Sequence, residues 1–516
     1  MIASIPSASV LGVRGSPVTV EVHVGDGLPG YRMVGMPDTA CRESRDRVRA
    51  AVISSELKWP ARAITVNLAP TSQRKSGAGL DLAIAIGVLV ASEQLAPADV
   101  AGQAFFGELG LDGSLRRVPG VAPMVAALGA FDVVVPLANA SEARVAALGR
   151  PRVATSLGDV VQALVGERPW DEFPAADPDD EMAPELPDLR DVRGQPVARQ
   201  ALEIAAAGGH HLLLVGSPGS GKTMLAQRLA GLLPPLGRAD SLETTMVHSA
   251  AGLRLPPGGF FRNAPFRAPH HTTSVVAMVG GGSHQLRPGE VSLATNGVMF
   301  MDELGEFARA ALEGLREPLE EGVVRVARAA ARATMPARFL LVAATNPCPC
   351  GGGPPGSCQC DDVARARYLR RLSGPLADRF DLRVVVQRPA VDQLLGAEAG
   401  ECSAVVRNRV MAARTLAAGR RGKLNAALTP DELDVFAPLA GDARSVLRNE
   451  IERERLTGRG YHRIRRVART IADLEAAGAV ASVTDDSTVT LAHVELALSM
   501  RASLRGRAAS DSRWIA

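Results

Sequence analysis

The sequence predicts an α/β chain: a mixed N-terminal unit, then a parallel sheet covered by helices, then an almost wholly helical C-terminal stretch. Three observations predict it. After residue 188, short apolar runs of strand length alternate with helix-period segments, the pattern of a parallel sheet. Gly216–Thr223 reads GSPGSGKT between one such run and a helical segment. Residues 171–188, DEFPAADPDDEMAPELPD, hold eight acids and four prolines, with no core-forming periodicity, which reads as an extended linker.

The elements follow in order. VTVEVHV alternates like a strand, CRESRDRVRAAVISSEL is helical and AITVNLAP is a second strand. GLDLAIAIGVLVASEQL reads as an apolar helix and AFFGELGLDG as a strand; FDVVVPLANA and the helical SEARVAALG continue the α/β pattern. Beyond the linker come helix PVARQALEIAAAGG, buried strand HHLLLVG, strand GVMFMDE, one helix over FARAALEGLREPLEEG and strand RFLLVAATN. From about residue 400 the pattern is helical. The expected units are therefore 1–170, the linker 171–188, an ATPase core 189–395 and a helical lid 396–516.

Bulk properties narrow the class. The 516 residues exceed what one core organises, and 46% hydrophobic with 22% charged residues is an ordinary globular composition. A net charge of +3 leaves any nucleic-acid binding to local patches. The start, MIASIPSASVLGVRG, has no basic segment followed by an apolar core, and the longest apolar run, 82–91, is half the roughly 20 residues of a membrane span. A cytoplasmic protein without a membrane partner is expected. Cysteines there are usually reduced, which favours metal binding over disulfides.

The chemistry-bearing residues come in a fixed order. Gly216, Ser217, Pro218, Gly219, Ser220, Gly221, Lys222 and Thr223 match G-x-x-x-x-G-K-[ST], between a strand and a helix as that motif requires. Backbone N–H groups and the helix N-terminus would cradle the phosphates of ATP, Lys222 would reach the β- and γ-phosphates, and Thr223 would ligate Mg²⁺. Lys222 is one of only four lysines, with Lys58, Lys75 and Lys423. GVMFMDE places Asp302 and Glu303 at the C-terminal end of a strand, where α/β sheets bind ligands. Asp302 would hold Mg²⁺ and Glu303 polarise the attacking water, provided the strand ends there, since adjacent strand residues face opposite ways. Asn346, at the end of RFLLVAATN, would sense the γ-phosphate. Arg379 in SGPLADRFDL would act as an arginine finger in a neighbouring subunit or pair with Asp378 or Asp381. Of Arg459, Arg463 and Arg466, Arg459 is the favoured lid contact to nucleotide. Asp302, Glu303, Asn346, Arg379 and Arg459 thus join Lys222 as candidate catalytic residues.

Two segments could face a ring pore. One is 251–289; the other, GVVRVARAAARATMPAR, reads as a hairpin whose Arg325, Arg328 and Arg332 suit sequence-independent contact with DNA phosphates, or are simply solvated. His270 and His271, on an extended chain, would point apart, with no acid beside them. The arginines of 444–469 read largely as helix-surface ion pairing with Glu450, Glu452 and Glu454. Cys348, Cys350, Cys358 and Cys360 form C-x-C…C-x-C, a candidate structural Zn²⁺ site whose one-residue gaps are tighter than usual, with free thiols or redox pairs as alternatives.

The ordered set DVRGQPVARQALEIAAAGGHHLLLVGSPGSGKTMLA, FRAPHHTTS, RPGEVSLATNGVMFMDEL, LREPLEEGVVRVARA, ATNPCPCG and RLSGPLADRFDL resembles the Mg-chelatase-like AAA+ ATPases of the YifB/competence protein ComM group. The resemblance covers nearly the whole chain and implies an S5-domain-2-like, Lon-protease-like N-terminal domain. It further implies a ring-forming, hexameric ATPase acting on DNA as a branch-migration helicase in natural transformation. It also places Gln195 in the adenine pocket. Alternatives are a chelatase- or MoxR-type protein remodeller and a Lon-like peptidase. For the peptidase, adjacent Lys75 and Ser76 make poor geometry for a base and its nucleophile, so the N-terminal domain reads as a module binding a protein partner or aiding assembly.

Overall fold

The computed structural model describes residues 1–501 except 73–74, 76, 175–185, 257, 283–285, 329–330, 353–357, 359, 362, 365–366, 369–375, 390–399 and 479–487. Most of the expected linker, Ser76 and the boundary at 395/396 lie outside the described residues.

Strict alternation in the first seventy residues makes a half-buried sheet. Strands Ile2–Leu11, Arg14–Gly25 and Ala63–Ala69 pair antiparallel in that order, and Gly30–Val34 joins parallel at the far edge. The helix Asp81–Ala91 is apolar on all sides because every residue of it is buried, packed with helix Thr39–Ser54 in the core of this sheet. Its one acid, Asp81, is raised to about 6 by burial, against the pull of the Arg47 guanidinium 2.7 Å away. The strand expected over AFFGELGLDG divides. Gln103–Phe105 joins a parallel sheet with Asp132–Pro136 and Pro151–Ala154, whereas Glu108–Leu109 pairs with Leu115–Arg116. The break falls at Gly107, where a Cβ would lie 2.8 Å from Leu115 Cδ2.

The second unit is built on five parallel strands. Their spatial order is Phe266–Arg267, Val298–Met301, Leu340–Thr345, Leu212–Val215 and Leu382–Val385. The strands read as continuous apolar runs because both faces are covered. Leu212 and Leu214 enter one core with helices Pro196–Gly208 and Lys222–Leu232; Leu213 and Val215 enter another with the hairpin Val323–Arg328/Ala331–Pro336. The segment 251–289 is not wholly an insertion, since Phe266–Arg267 is the edge strand of this sheet. The single helix expected over 307–322 is two, Arg309–Gly314 and Arg316–Glu321.

The C-terminal region is helical: Ser403–Arg421, Pro430–Phe436, Gly441–Glu452, Gly458–Gly478 and Leu491–Ser499. It has no separate core. Val406, Val410, Ile464, Val467 and Met500 pack in the same cluster as sheet residues Leu212, Val342 and Leu382. The arginines of Gly458–Gly478 are turned inward more than a surface pattern predicts. Arg465 reaches Asp434 and two carbonyls, and buried Arg469 pairs with buried Asp473.

The linker ends are docked. Asp188 accepts N–H bonds from Arg190 and Ser403, and Leu189 is buried. The N-terminal unit meets the unit built on the five-stranded sheet through helix Arg238–Ala250: Ser249 donates to buried Glu142 at 2.6 Å, and Arg117 donates to the carbonyls of Gly252 and Leu253. No described helix is long and apolar enough to cross a membrane.

Two histidines, His211 half-buried and His248 buried, give the fold a pH dependence. His211 Nδ1 accepts the Leu341 N–H at 3.0 Å, which requires a neutral ring, and burial lowers it from the ordinary 6.5 to about 4. Burial lowers His248 likewise to about 4. Between those values the unfolded chain binds these protons and the folded chain does not, so stability falls as pH drops from 6.5 towards 4; Asp81, raised to about 6, opposes this with one proton. The denaturant midpoint is expected to fall across that window, and His211→Gln to flatten the fall. A midpoint that rises as pH drops would refute the assignment.

Candidate nucleotide site at the sheet edge

Three strands end together. Val215 pairs with Thr345, and Met301 with Ala343, so the residues that follow emerge at one carboxyl edge. The loop after Val215 turns tightly: Gly216 N–H donates to Thr345 O at 3.1 Å, and a Cβ on Gly216 would lie 2.3 Å from Val386 O. Only glycine fits there. Helix Lys222–Leu232 starts at once from Gly221.

The side chains converge. Lys222 Nζ donates to Gly216 O, Ser217 O and Asn346 Oδ1 at 2.8, 3.0 and 3.2 Å. Burial pushes the Lys222 amine down from its ordinary value, and Asp302 and Glu303 pull it back. Thr223 Oγ1 donates to Asp302 Oδ2 at 2.8 Å, a hydroxyl and a carboxylate placed as two oxygen ligands for one hard cation. The strand stops at Met301 and Glu303 takes the left-handed conformation (φ 51°), an uncommon strain for a non-glycine residue. Both acids therefore line one cavity of about 290 Å³, with Thr223, Gln227, Phe266 and Phe300. Gln195, also left-handed (φ 58°), donates its amide to Ser220 O and Gln387 O beside the loop.

His270 and His271 depart from expectation. Residues 270–273 form a turn, Thr273 N–H to His270 O at 2.9 Å, so the rings lie side by side with centroids 4.0 Å apart. An acid does stand beside them: His271 Nδ1 is 3.4 Å from Glu303 Oε2. The sequence signal was the position of HH just after the edge strand, which a reading of 251–289 as one insertion hides.

Arg379 lies outside this cavity set. Its side chain is mostly buried, paired with Glu320, and its guanidinium is lowered by burial and then by Arg463, Arg459 and Arg316. Neither acid expected as its partner holds it. Asp381 is instead bound by Arg463 Nη1 at 2.6 Å and approached by His210 Nδ1 at 3.3 Å, with His210 Nε2 2.8 Å from Thr470 Oγ1. Arg463 also donates to Arg379 O, and Arg466 donates to Leu428 O. Of the three lid arginines, Arg459 alone is exposed, with no ion pair among the described residues. Sequence reasoning missed the His210–Asp381–Arg463 network because its members are 171 and 82 residues apart.

On the hairpin, Arg325 is exposed and pairs with Glu317 and Glu321, at 2.7 and 2.5 Å. Arg328 and Arg332 are exposed near the tip. Lys75 is buried and donates to Pro70 O. The Sγ atoms of Cys348, Cys350, Cys358 and Cys360 lie within 4.8 Å of one another.

A five-stranded parallel sheet carrying a phosphate loop at its carboxyl edge, backed by a helical C-terminal region, is an AAA+ type of architecture. Residues 188–394 match the family described as "Magnesium chelatase, subunit ChlI", residues 20–139 "Subunit ChlI of Mg-chelatase" and residues 400–501 "Magnesium chelatase, subunit ChlI C-terminal". The chain is 43% identical to the uncharacterized protein YifB of Salmonella typhimurium over 479 residues, 92% of this chain and 94% of that one. It is 42% identical to competence protein ComM of Haemophilus influenzae over 486 residues, again 92% and 94%. A shorter likeness, 27% over 205 residues, joins 40% of this chain to 25% of "Probable DNA helicase MCM9" of Arabidopsis thaliana. The chain belongs to the Mg-chelatase-like YifB/ComM family of AAA+ ATPases.

The lid network generates a contrast. Arg463→Ala removes the guanidinium from a buried carboxylate and should cost about 3 kcal/mol in denaturant unfolding. Arg459→Ala should leave unfolding unchanged. Equal costs in the two variants would show that Arg463 is not the brace.

Proposed function

We propose that the protein is an ATP-hydrolysing ring motor that moves on DNA, a branch-migration helicase of the ComM type acting in DNA uptake and recombination. The observation that carries the ATPase part is the convergence of Lys222, Thr223, Asp302, Glu303 and Asn346 at one sheet edge. Lys222 would leave its loop carbonyls for the β- and γ-phosphates, Thr223 and Asp302 would hold Mg²⁺, Glu303 would orient the attacking water and Asn346 would contact the γ-phosphate. Gln195, which bonds Ser220 O at the phosphate loop, would line the adenine pocket.

Members of the AAA+ class generally assemble, and a hexamer is the reading here. Arg379, paired with Glu320, stands with Arg316 and Arg459 in a concentration of positive charge that suits a triphosphate presented by the next subunit. Arg328 and Arg332 would contact DNA phosphates from the hairpin tip. Residues 1–170 would form an S5-domain-2-like, Lon-like module for assembly or a protein partner; 189–395 and 396–516 would form the ATPase core and its lid. The family descriptions, all naming subunit ChlI, favour a second reading: a protein remodeller without DNA.

Turnover measured with and without forked DNA separates the readings. DNA should raise ATP hydrolysis at low salt, with strand displacement on branched substrates, and Lys222→Ala should abolish both. Arg328→Ala/Arg332→Ala should reduce the salt slope of DNA binding by about 2. ATPase activity with no DNA binding at low salt would defeat the motor reading and leave the remodeller.

A further inference from the structure

The four-cysteine segment begins two residues after the last strand residue, Thr345, and the chain then returns to its own origin. Tyr368, buried, places its hydroxyl 3.0 Å from Thr345 Oγ1, and its ring packs so close to Gly305 that a Cβ there would lie 2.9 Å away. Tyr368 is thus tied to the strand end that precedes Asn346. The four cysteines lie between these two points in the chain, with Cys348 buried. The Sγ separations are 3.4 Å for Cys348–Cys350, 3.6 Å for Cys350–Cys358 and 3.3 Å for Cys348–Cys358. Four thiolates around Zn²⁺ at ~2.3 Å stand about 3.8 Å apart in a regular tetrahedron, so the sulfurs of Cys348, Cys350 and Cys358 need only a few tenths of an ångström of expansion, and Cys360 Sγ lies within 4.8 Å of them. The one-residue gaps do not prevent this. The backbone N–H of Gly352 points to Cys350 Sγ and that of Cys360 to Cys358 Sγ, each at 3.4 Å, as amides do that stabilise metal-bound thiolates.

The cysteine segment also touches the phosphate loop, at Gly351. Gly351, the residue after Cys350, has φ +68° and sits so close to Pro218 that a Cβ would lie 2.7 Å from its Cγ. Pro218 is held from another side by Arg388, which donates to its carbonyl at 2.8 Å. Two catalytic elements therefore lean on one cysteine cluster: Asn346 by chain connection, and the phosphate loop by contact.

We propose that Cys348, Cys350, Cys358 and Cys360 bind one Zn²⁺, and that this knuckle sets the conformation of the phosphate loop so that nucleotide affinity depends on the metal. The dependence rests on reading the loop as the ATP site. The ion is structural: thiolates fill all four positions. Without it, weak thiol contacts take the place of metal bonds between the two C-x-C turns, and Gly351 holds Pro218 less firmly.

The test uses the full chain, purified in reductant. Elemental analysis should give about one zinc per chain, and Cys350→Ser/Cys358→Ser should lose it. Displacing the metal with an organomercurial should weaken binding of a fluorescent ADP analogue about tenfold or more, and removal of the mercurial should restore affinity only when Zn²⁺ is added back. That requirement for metal excludes modification of Cys41 or Cys402 as the cause. Gly351→Ala keeps the four thiolates and should retain zinc while losing about tenfold in affinity, since its Cβ displaces Pro218. No zinc bound and none taken up overturns the metal site. Zinc present, with affinity unchanged on stripping and in Gly351→Ala, overturns the coupling. A zinc-loaded chain that binds no nucleotide overturns the ATP reading itself.

Discussion

Parallel register is the constraint on which the rest depends. Val215 beside Thr345, and Met301 beside Ala343, bring three chain segments to one edge within hydrogen-bonding reach. A slip of one residue in any strand would turn its alternate side chains from one core to the other and move its terminal polar group by about 3.3 Å along the strand. A slip of Val298–Met301 would break the Thr223–Asp302 bond, one of Leu340–Thr345 the Lys222–Asn346 bond, and one of Leu212–Val215 both. Apolar burial on both faces therefore holds the polar geometry: Leu212 and Leu214 must enter one core, Leu213 and Val215 the other.

What was legible in the sequence follows from how local each signal is. The phosphate loop, the strand ending in Asp302 and the hairpin are each written within a dozen residues, because glycine conformations, apolar runs and turn positions are local chemistry. Asp302 and Glu303 could be read as a pair, but not that Glu303 would adopt φ 51° or meet His271 across the cavity. That contact depends on a turn at 270–273 and on the edge strand before it. The helix expected over 307–322 failed for a similar reason: Leu315 is buried in the core against the sheet, and the chain bends there into two short helices. Arg325 looked like its neighbours Arg328 and Arg332, yet helix Arg316–Glu321 supplies two carboxylates that only the fold brings near.

Arginine usage ties these observations together. With four lysines in 516 residues, nearly all cations are guanidinium groups, which stay charged when buried and bond in several directions at once. Arg465 satisfies a carboxylate and two carbonyls from the lid interior, and Arg463 spans Asp381 and the Arg379 carbonyl. An ammonium could not make both sets of contacts with the same reach. Runs of arginine in this chain are therefore as much internal fasteners as surface charge, and a run alone says little about nucleic acid.

The shared core then limits how a lid could respond to nucleotide. Val406, Ile464, Val467 and Met500 pack directly with Leu212, Val342 and Leu382, so lifting the helices off the sheet would expose apolar surface at roughly 25 cal/mol per Å². A hinge that opens the lid freely is incompatible with that packing. Small sliding of helix Gly458–Gly478 is compatible, and this helix holds the Arg379 backbone through Arg463. Arg463 thereby ties this helix to the segment carrying Arg379, and Asp381 and His210 tie that segment to the start of strand Leu212–Val215. Helix Gly458–Gly478, the Arg379 segment and the sheet are thus joined by polar contacts anchored in one apolar core rather than by a flexible joint.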